Sequence, residues 1–310
     1  MAATERRRAV AVDGLLLLNK PPGMTSNRAL QRVRRLLQAK KAGHTGSLDP
    51  SATGMLPLCF GEATKVCAYL LDADKTYRVT ARLGVATDTG DADGQQTDTA
   101  EVPELSESDW AAILAGFLGE STQVPPMYSA LKKDGKRLYE LARKGETVER
   151  EARPLTIHEI QLLELAETRL VFRVRCSKGT YVRTLVEDIA KRAGTVAHTA
   201  RLHRESVGDF KAVDMLDLDA VESLVESGPE ALRRRLLAPD VALQHLPAVN
   251  VEAEAGERFS GGQAVEASDA TGIGLARVYD ASQKFLGVGE LPGNGTVAPR
   301  RVFQIAGKNP

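Results

Sequence analysis

A varied group of functional side chains lies between Gly43 and Leu56, in GHTGSLDPSATGML. Asp49 stands near its centre, and Gly43, Gly46 and Gly54 supply backbone that can approach a ligand closely. A carboxylate, with a reference pKa of about 3.9, is ionised at neutral pH and can act as a nucleophile without a partner base. The plain alternative is a turn in which Asp49 accepts backbone N–H bonds ahead of Pro50. His44, Thr45, Ser47, Ser51 and Thr53 weigh against it, because they crowd in more hydrogen-bonding groups than a turn requires. Other chemistries fit poorly. No second carboxylate stands at short spacing for a glycosidase-like pair, no His-x-Glu accompanies a Cys-x-x-Cys as in zinc deaminases, and no Gly-x4-Gly-Lys-Ser/Thr phosphate loop occurs. Thr89 to Gly94 is spaced somewhat like a calcium loop, but its first position is Thr and its twelfth is Ala100. It reads as a solvated turn with some role beside the site.

Such a loop needs rigid elements around it. Upstream, Gly14 to Leu18 is an apolar run suited to a buried strand, and Asn19-Lys20-Pro21-Pro22-Gly23 is a turn signal. Ser26 then reads as the N-cap of a helix, with Leu30, Val33, Leu36 and Leu37 on one face and Arg28, Arg32, Arg34 and Arg35 on the rest. Downstream, Thr76 to Leu83 alternates like a strand, and Ser106 to Leu118 has a helical pattern. Pro125 to Arg150 is crowded with Lys and Arg and partly helical around Leu138 and Leu141. Leu155 to Leu165 and Arg169 to Ser177 form two further strands, and Thr184 to Arg192 an amphipathic helix. The acidic stretch Asp214 to Glu226 is helical in pattern, and Pro239 to Pro247 reads as a linker. From about Asn250, glycines punctuate short β-prone runs, which suits a small β-barrel.

Composition agrees with a soluble globular chain: 310 residues, 43% hydrophobic and 26% charged, enough for one large domain and a smaller one. Lys+Arg and Asp+Glu both total 41, yet eleven basic residues face four acidic ones between Met1 and Lys65. Between Lys211 and Gly256 four basic residues face nine acidic ones, so a polyanion-binding face is compatible with overall neutrality. Three cysteines without paired spacing imply neither a disulfide framework nor a zinc site. MAATERRRAV is polar and reads as a frayed start, charged where a signal peptide needs an apolar run, and GLLLL is too short to span a bilayer. A cytoplasmic protein without membrane contact is expected.

Five motifs, in order, carry a family resemblance. They are Asn19-Lys20-Pro21-Pro22-Gly23, the Gly43 to Gly54 loop, Lys75-Thr76-Tyr77-Arg78, Val124-Pro125-Pro126-Met127-Tyr128-Ser129-Ala130 and Ser177-Lys178-Gly179-Thr180-Tyr181-Val182-Arg183-Thr184. From about Gly14 to Gly208 the chain resembles the TruB family of tRNA pseudouridine synthases, and its tail more loosely resembles a PUA-like domain. The resemblance implies an α+β fold: a mixed, largely antiparallel sheet of the pseudouridine-synthase type with flanking helices, plus a small C-terminal PUA-like β-barrel. It implies a catalytic domain over residues 1–248, with a basic RNA-gripping insertion at about 124–152, and an RNA-binding domain over 249–310. The implied reaction turns uridine into pseudouridine in the T loop of tRNA, position 55, by base flipping and without a cofactor. Asp49 matches the family's catalytic aspartate. It could add to uracil carbon 6, attack C1′ or remove a proton from C2′, and the residues do not choose among these.

The resemblance also implies roles for its neighbours. With Asp49, the resemblance makes Arg183 and Tyr77 catalytic residues: Arg183 matches the arginine that pairs with the aspartate and Tyr77 the tyrosine that stacks on uracil and helps move the carbon-5 proton, while Tyr181 and Leu202 match positions lining the base pocket. His44 matches the residue that fills the space of the flipped base. Read alone, each of these would be an ordinary core or surface residue. Lys20 is expected to support the Asp49 loop or touch phosphate. RNA grip is assigned to the Arg28 to Lys41 and Lys132 to Lys144 segments. The expected partner is the tRNA T stem-loop, bound by a monomer with no obligate protein partner. Two rivals remain: a noncatalytic RNA-binding protein on the same scaffold, against which Asp49, Tyr77 and Arg183 together argue, and a guide-RNA-dependent pseudouridylase similar to dyskerin.

Overall fold

Four consecutive leucines cannot alternate between core and solvent, so Leu15 to Leu18 suit a strand covered on both faces. The computed structural model, which describes residues 9–305, has them in β1 (Gly14–Lys20), with Leu16 and Leu18 in one hydrophobic cluster and Leu15 and Leu17 in another. The polar start, residues 1–8, lies outside the described residues. Asn19 and Lys20 belong to the strand, so the turn begins two residues later than the sequence suggests. The next helix, α1 (Ser26–Leu37), is capped by Thr25, whose hydroxyl accepts from the Arg28 N–H at 3.1 Å. Ser26 is therefore not the cap, and its hydroxyl turns inward to the loop before Asp49. That loop is shorter than its composition implies. β2 (Ala42–His44) and β3 (Thr53–Phe60) take its ends and leave residues 45–52 as the connection.

The chain continues through α2 (Cys67–Asp72) into β4 (Lys75–Leu83), the hairpin β5 (Val85–Thr87) and β6 (Gln96–Thr99), and α3 (Glu107–Ala115). After β7 (Gly119–Gln123), the basic segment holds a small hairpin, β8 (Lys132–Lys133) and β9 (Lys136–Arg137), and a short α4 (Leu138–Ala142). Two long strands follow, β10 (Arg153–Ala166) and β11 (Arg169–Cys176), then α5 (Val182–Arg192) and β12 (Ala197–Val207). The acidic stretch starts its helix later than expected, because β13 (Leu216–Asp217) pairs in parallel with β1 before α6 (Leu218–Glu226) and α7 (Pro229–Arg233). Pro239 to Leu243 is no free linker. It forms a tight helical turn whose Leu243 is fully buried.

One nine-stranded sheet organises these elements in the order β13-β1-β3-β12-β4-β11-β10-β7, with β2 on β3. All contacts are antiparallel except β13 with β1 and β12 with β3. Trp110 of α3 and the apolar face of α5 cover β4, β10 and β11, while α1, α6 and α7 cover one face of β1 and β3. The C-terminal strands are β14 (Ala248–Asn250), β15 (Val265–Glu266), β16 (Ile273–Tyr279), β17 (Phe285–Pro292) and β18 (Thr296–Val302), in the order β14-β16-β17-β18-β15. They curl as a half-barrel of the PUA-like kind. Phe285, Val288 and Phe303 join the cluster of Leu15, Leu17 and Met55, so the two sheets share apolar contacts. Helix α8 (Ala253–Ser260) was hidden by Gly256, a poor helix former that packs where a Cβ would come within 3.3 Å of Leu286. Among the described residues no helix is long and apolar enough to cross a membrane.

Candidate active site

Three polar side chains hold the loop 45–52 in place. Lys20 is 0% exposed, and its ammonium donates to the carbonyls of Pro21 and Met24, each at 2.9 Å, and of Pro50 at 3.2 Å. It supports the loop, and its burial removes the alternative of a phosphate contact. Burial pushes its pKa down to about 8, against the pull of Asp49. The Ser26 hydroxyl accepts from the Leu48 N–H at 2.8 Å and lies 3.1 Å from the Leu48 carbonyl. Arg204, 1% exposed, donates through Nε to the Met55 carbonyl at 2.7 Å and through Nη2 to the Gly46 carbonyl at 3.0 Å. Gly54 makes that contact possible. Its φ is +99°, and a Cβ there would stand 2.3 Å from the Arg204 carbonyl oxygen.

Asp49 follows this pinned backbone, and its carboxylate meets Arg183 from the first turn of α5 at 3.1 Å, Nε to Oδ2. The Arg183 side chain is 7% exposed, that of Asp49 is 42% exposed, so the guanidinium forms a buried floor beneath an accessible carboxylate. Arg183 also donates to the Thr89 and Tyr128 carbonyls, each at 2.7 Å, and lies 3.5 Å from Asp91. Burial pushes the Asp49 pKa above its usual value; Arg183 pulls it down, Asp91 pushes it up and Lys20 pulls it down. Asp91 corrects the reading of Thr89 to Gly94 as a solvated turn. It is buried, accepts from the Thr89 hydroxyl at 2.6 Å and lies 3.5 Å from Nη1 of Arg183, whose Nε meets Asp49. Sequence reasoning missed Asp91, Arg204 and Ser26 as parts of this site.

Above Asp49 opens a groove of about 730 Å³, lined by Asp49, Arg183, Thr53, Leu202, His203 and Arg78 among others. Asp49, Arg183 and Leu202 therefore line one groove. Tyr77 is buried beside Leu48 and Ala52, in the cluster under the loop rather than in the groove wall. Tyr181 is half-buried at the N-cap of α5, where Gln123 accepts from its N–H at 2.9 Å and donates to its carbonyl at 3.1 Å. Burial pushes both phenols up; Arg204 eases this for Tyr77, Ser129 for Tyr181, and the charge of Asp49 pushes both up further. His44 sits in β2 opposite Leu58, outside the groove lining, with Nδ1 buried and unpartnered among the described residues. Burial and Arg204 hold its pKa below the usual imidazole value.

The basic segments are partly committed elsewhere. Arg32 pairs with Glu222, and Arg34 closes α1 by donating to the Ala39 and Lys40 carbonyls at 3.0 and 2.8 Å. In the later segment Lys133 donates to the Glu149 carbonyl at 2.8 Å, and the guanidinium groups of Arg137 and Arg143 lie over the Tyr139 ring. Its root touches the site, because Tyr128 is an Arg183 partner.

Comparison with known proteins identifies the family and the fold. Residues 34–182 match the TruB family pseudouridylate synthase N-terminal domain, 183–244 the tRNA pseudouridylate synthase B C-terminal domain, and 247–303 the pseudouridine synthase II TruB C-terminal domain. The chain is 49% identical over 303 residues to a Nitrosococcus oceani protein named tRNA pseudouridine synthase B, covering 98% of each. A Chromohalobacter salexigens protein of the same name is 53% identical over 305 residues, covering 97% of each. The fold is similar to a chain in the crystal structure of a Cbf5-Nop10-Gar1 complex, with a TM-score of 0.72 and 25% identity over 94% of this chain and 85% of that one.

Proposed function

We propose that this chain, which belongs to the TruB family of pseudouridylate synthases, isomerises a T-loop uridine of tRNA, position 55, to pseudouridine. As a member of that family it is an isomerase. The observation that carries the reading is an accessible Asp49 carboxylate held over a buried Arg183 at the floor of an open groove. The uracil gives up its N1–C1′ bond and gains a C5–C1′ bond, while C5 loses a proton and N1 takes one up. Atoms and electrons balance within the nucleotide, so no cofactor is needed. Asp49 is the nucleophile, and Arg183 keeps it ionised under a base that would otherwise desolvate it. Leu202 in the groove wall, with Tyr181 at the start of α5, offers a surface to the extruded base, which costs a few kcal/mol to unstack, while Tyr77 backs the Asp49 loop from the core side. His44, neutral at pH 7 by its lowered pKa, suits the space left in the RNA.

Residues 1–248 act as the catalytic unit and 249–310 as a PUA-like RNA-binding unit, while the basic segment at 124–152 closes on the T arm. The chain works as a monomer without guide RNA or protein partner. The test uses an unmodified T-stem-loop RNA labelled with tritium at uridine C5, where bond formation releases the label. Wild-type protein alone is expected to release it, and Asp49→Asn to bind the RNA without release. Full release by Asp49→Asn would overturn the assignment of Asp49. Dependence of the wild type on a guide RNA would overturn the stand-alone reading.

A further inference from the structure

Alternation along β4, β11 and β12 turns six arginines to the open face of the sheet: Arg78, Arg82, Arg169, Arg173, Arg175 and Arg201. Four of them are engaged. Arg173 pairs with Glu205 at 2.7 Å, Arg175 with Asp74 at 3.1 Å and Glu159 at 3.0 Å, Arg169 with Glu164, and Arg82 donates to the Thr168 hydroxyl at 2.6 Å. Among the described residues, Arg78 and Arg201 have neither an ion pair nor a side-chain hydrogen bond. Both line the groove above Asp49.

Their spacing follows from the strand register. Arg78 stands opposite His203 and Thr80 opposite Arg201, so the two arginines are diagonal neighbours on one face, with Cα atoms roughly 7–8 Å apart. Two unneutralised cations this close repel each other, and the carboxylates on this face pair with other arginines. An external anion lying between or along them relieves this repulsion. The long guanidinium stems can follow a polyanion that crosses the sheet, and the paired donors of each head match phosphate oxygens.

Resting on the tRNA reading above, we infer that Arg78 and Arg201 form a phosphate-binding pair. It grips the sugar-phosphate backbone beside the nucleotide presented to Asp49. These residues belong to regular strands rather than to either basic segment, so their charge served no composition signal. The test is filter binding of the unmodified T-stem-loop RNA across a salt series, with Arg78→Gln, Arg201→Gln and the double variant. Each single change is expected to weaken binding roughly tenfold at low salt and to lower the slope of log affinity against log salt by about 0.7–0.9 per lost contact. Arg173→Gln, which removes a charge already paired with Glu205, is expected to change affinity much less. If wild-type protein turns the RNA over while the double variant keeps wild-type affinity and slope, the pair is refuted and the function stands. If wild-type protein neither binds nor converts the RNA, the tRNA reading falls and the pair with it.

Discussion

The most discriminating perturbation is removal of the positive charge beneath Asp49. With Arg183 Nε 3.1 Å from the carboxylate, the Coulomb energy is about 1.3 kcal/mol at the dielectric of water and about 5 kcal/mol at an effective value near 20. Roughly 1.4 kcal/mol corresponds to one pKa unit, so these limits bracket about one to four units. The Asp49 side chain is 42% exposed, and water screens it toward the lower end, so Arg183→Met is expected to raise its pKa by about 1–2 units. The starting value already lies above the ordinary one, because burial outweighs the arginine. A nucleophilic carboxylate is active above its pKa and loses activity as pH falls through it. The acid limb of the single-turnover rate, read by tritium release, should therefore move to higher pH in Arg183→Met and stay near the wild type in Arg183→Lys. The Met variant also loses the bonds to Thr89 and Tyr128, which lowers the rate at every pH but does not move the midpoint. A uniform drop with an unmoved midpoint would refute the claim that Arg183 governs the ionisation of Asp49.

Two further substitutions test the loop that carries the carboxylate. Gly54→Ala combines a left-handed backbone with a Cβ 2.3 Å from the Arg204 carbonyl, and is expected to lose at least about 1–3 kcal/mol in urea unfolding; unchanged stability would refute the close approach of β3 to β12. Ser26→Ala leaves the buried Leu48 N–H without its acceptor, at a cost of about 1–3 kcal/mol, and should slow turnover while RNA affinity in filter binding is held. Wild-type turnover in Ser26→Ala would show that the loop does not depend on this bond.

Patterns read along the chain reached the elements and stopped at what joins them. Periodicity gave away α1, α5 and the pair β10 and β11, because one face of each is apolar. The short loop and its carboxylate stood out by composition. Arg183 had no local signal, and the motif resemblance alone attached it to Asp49, 134 positions away. Arg204 had no signal either, because its strand β12 carries no pattern that the sequence reading picked out; it is buried because β12 lies against β3 and the Asp49 loop folds over it. Asp91 sat among Thr89, Asp93 and Gly94, where solvated turns and buried acids share the same composition. Only the arrival of Arg183 separates the two cases.

The groove itself follows from where two strands part. β12 registers with β4 over nine positions but with β3 over only two, His203 opposite Thr53 and Arg204 opposite Gly54. On the N-terminal side of those pairs β12 stays on β4 while the chain before β3 turns away into the loop. Ser51 and Ala52 then face Ala200, Arg201 and Leu202 across open space. An unclosed seam in the middle of a sheet leaves backbone groups without ladder partners, which is costly unless other donors reach them. Lys20 and Arg204 do so here, by taking the carbonyls of Pro50, Gly46 and Met55. The buried cations thus let the sheet stay open beside Asp49.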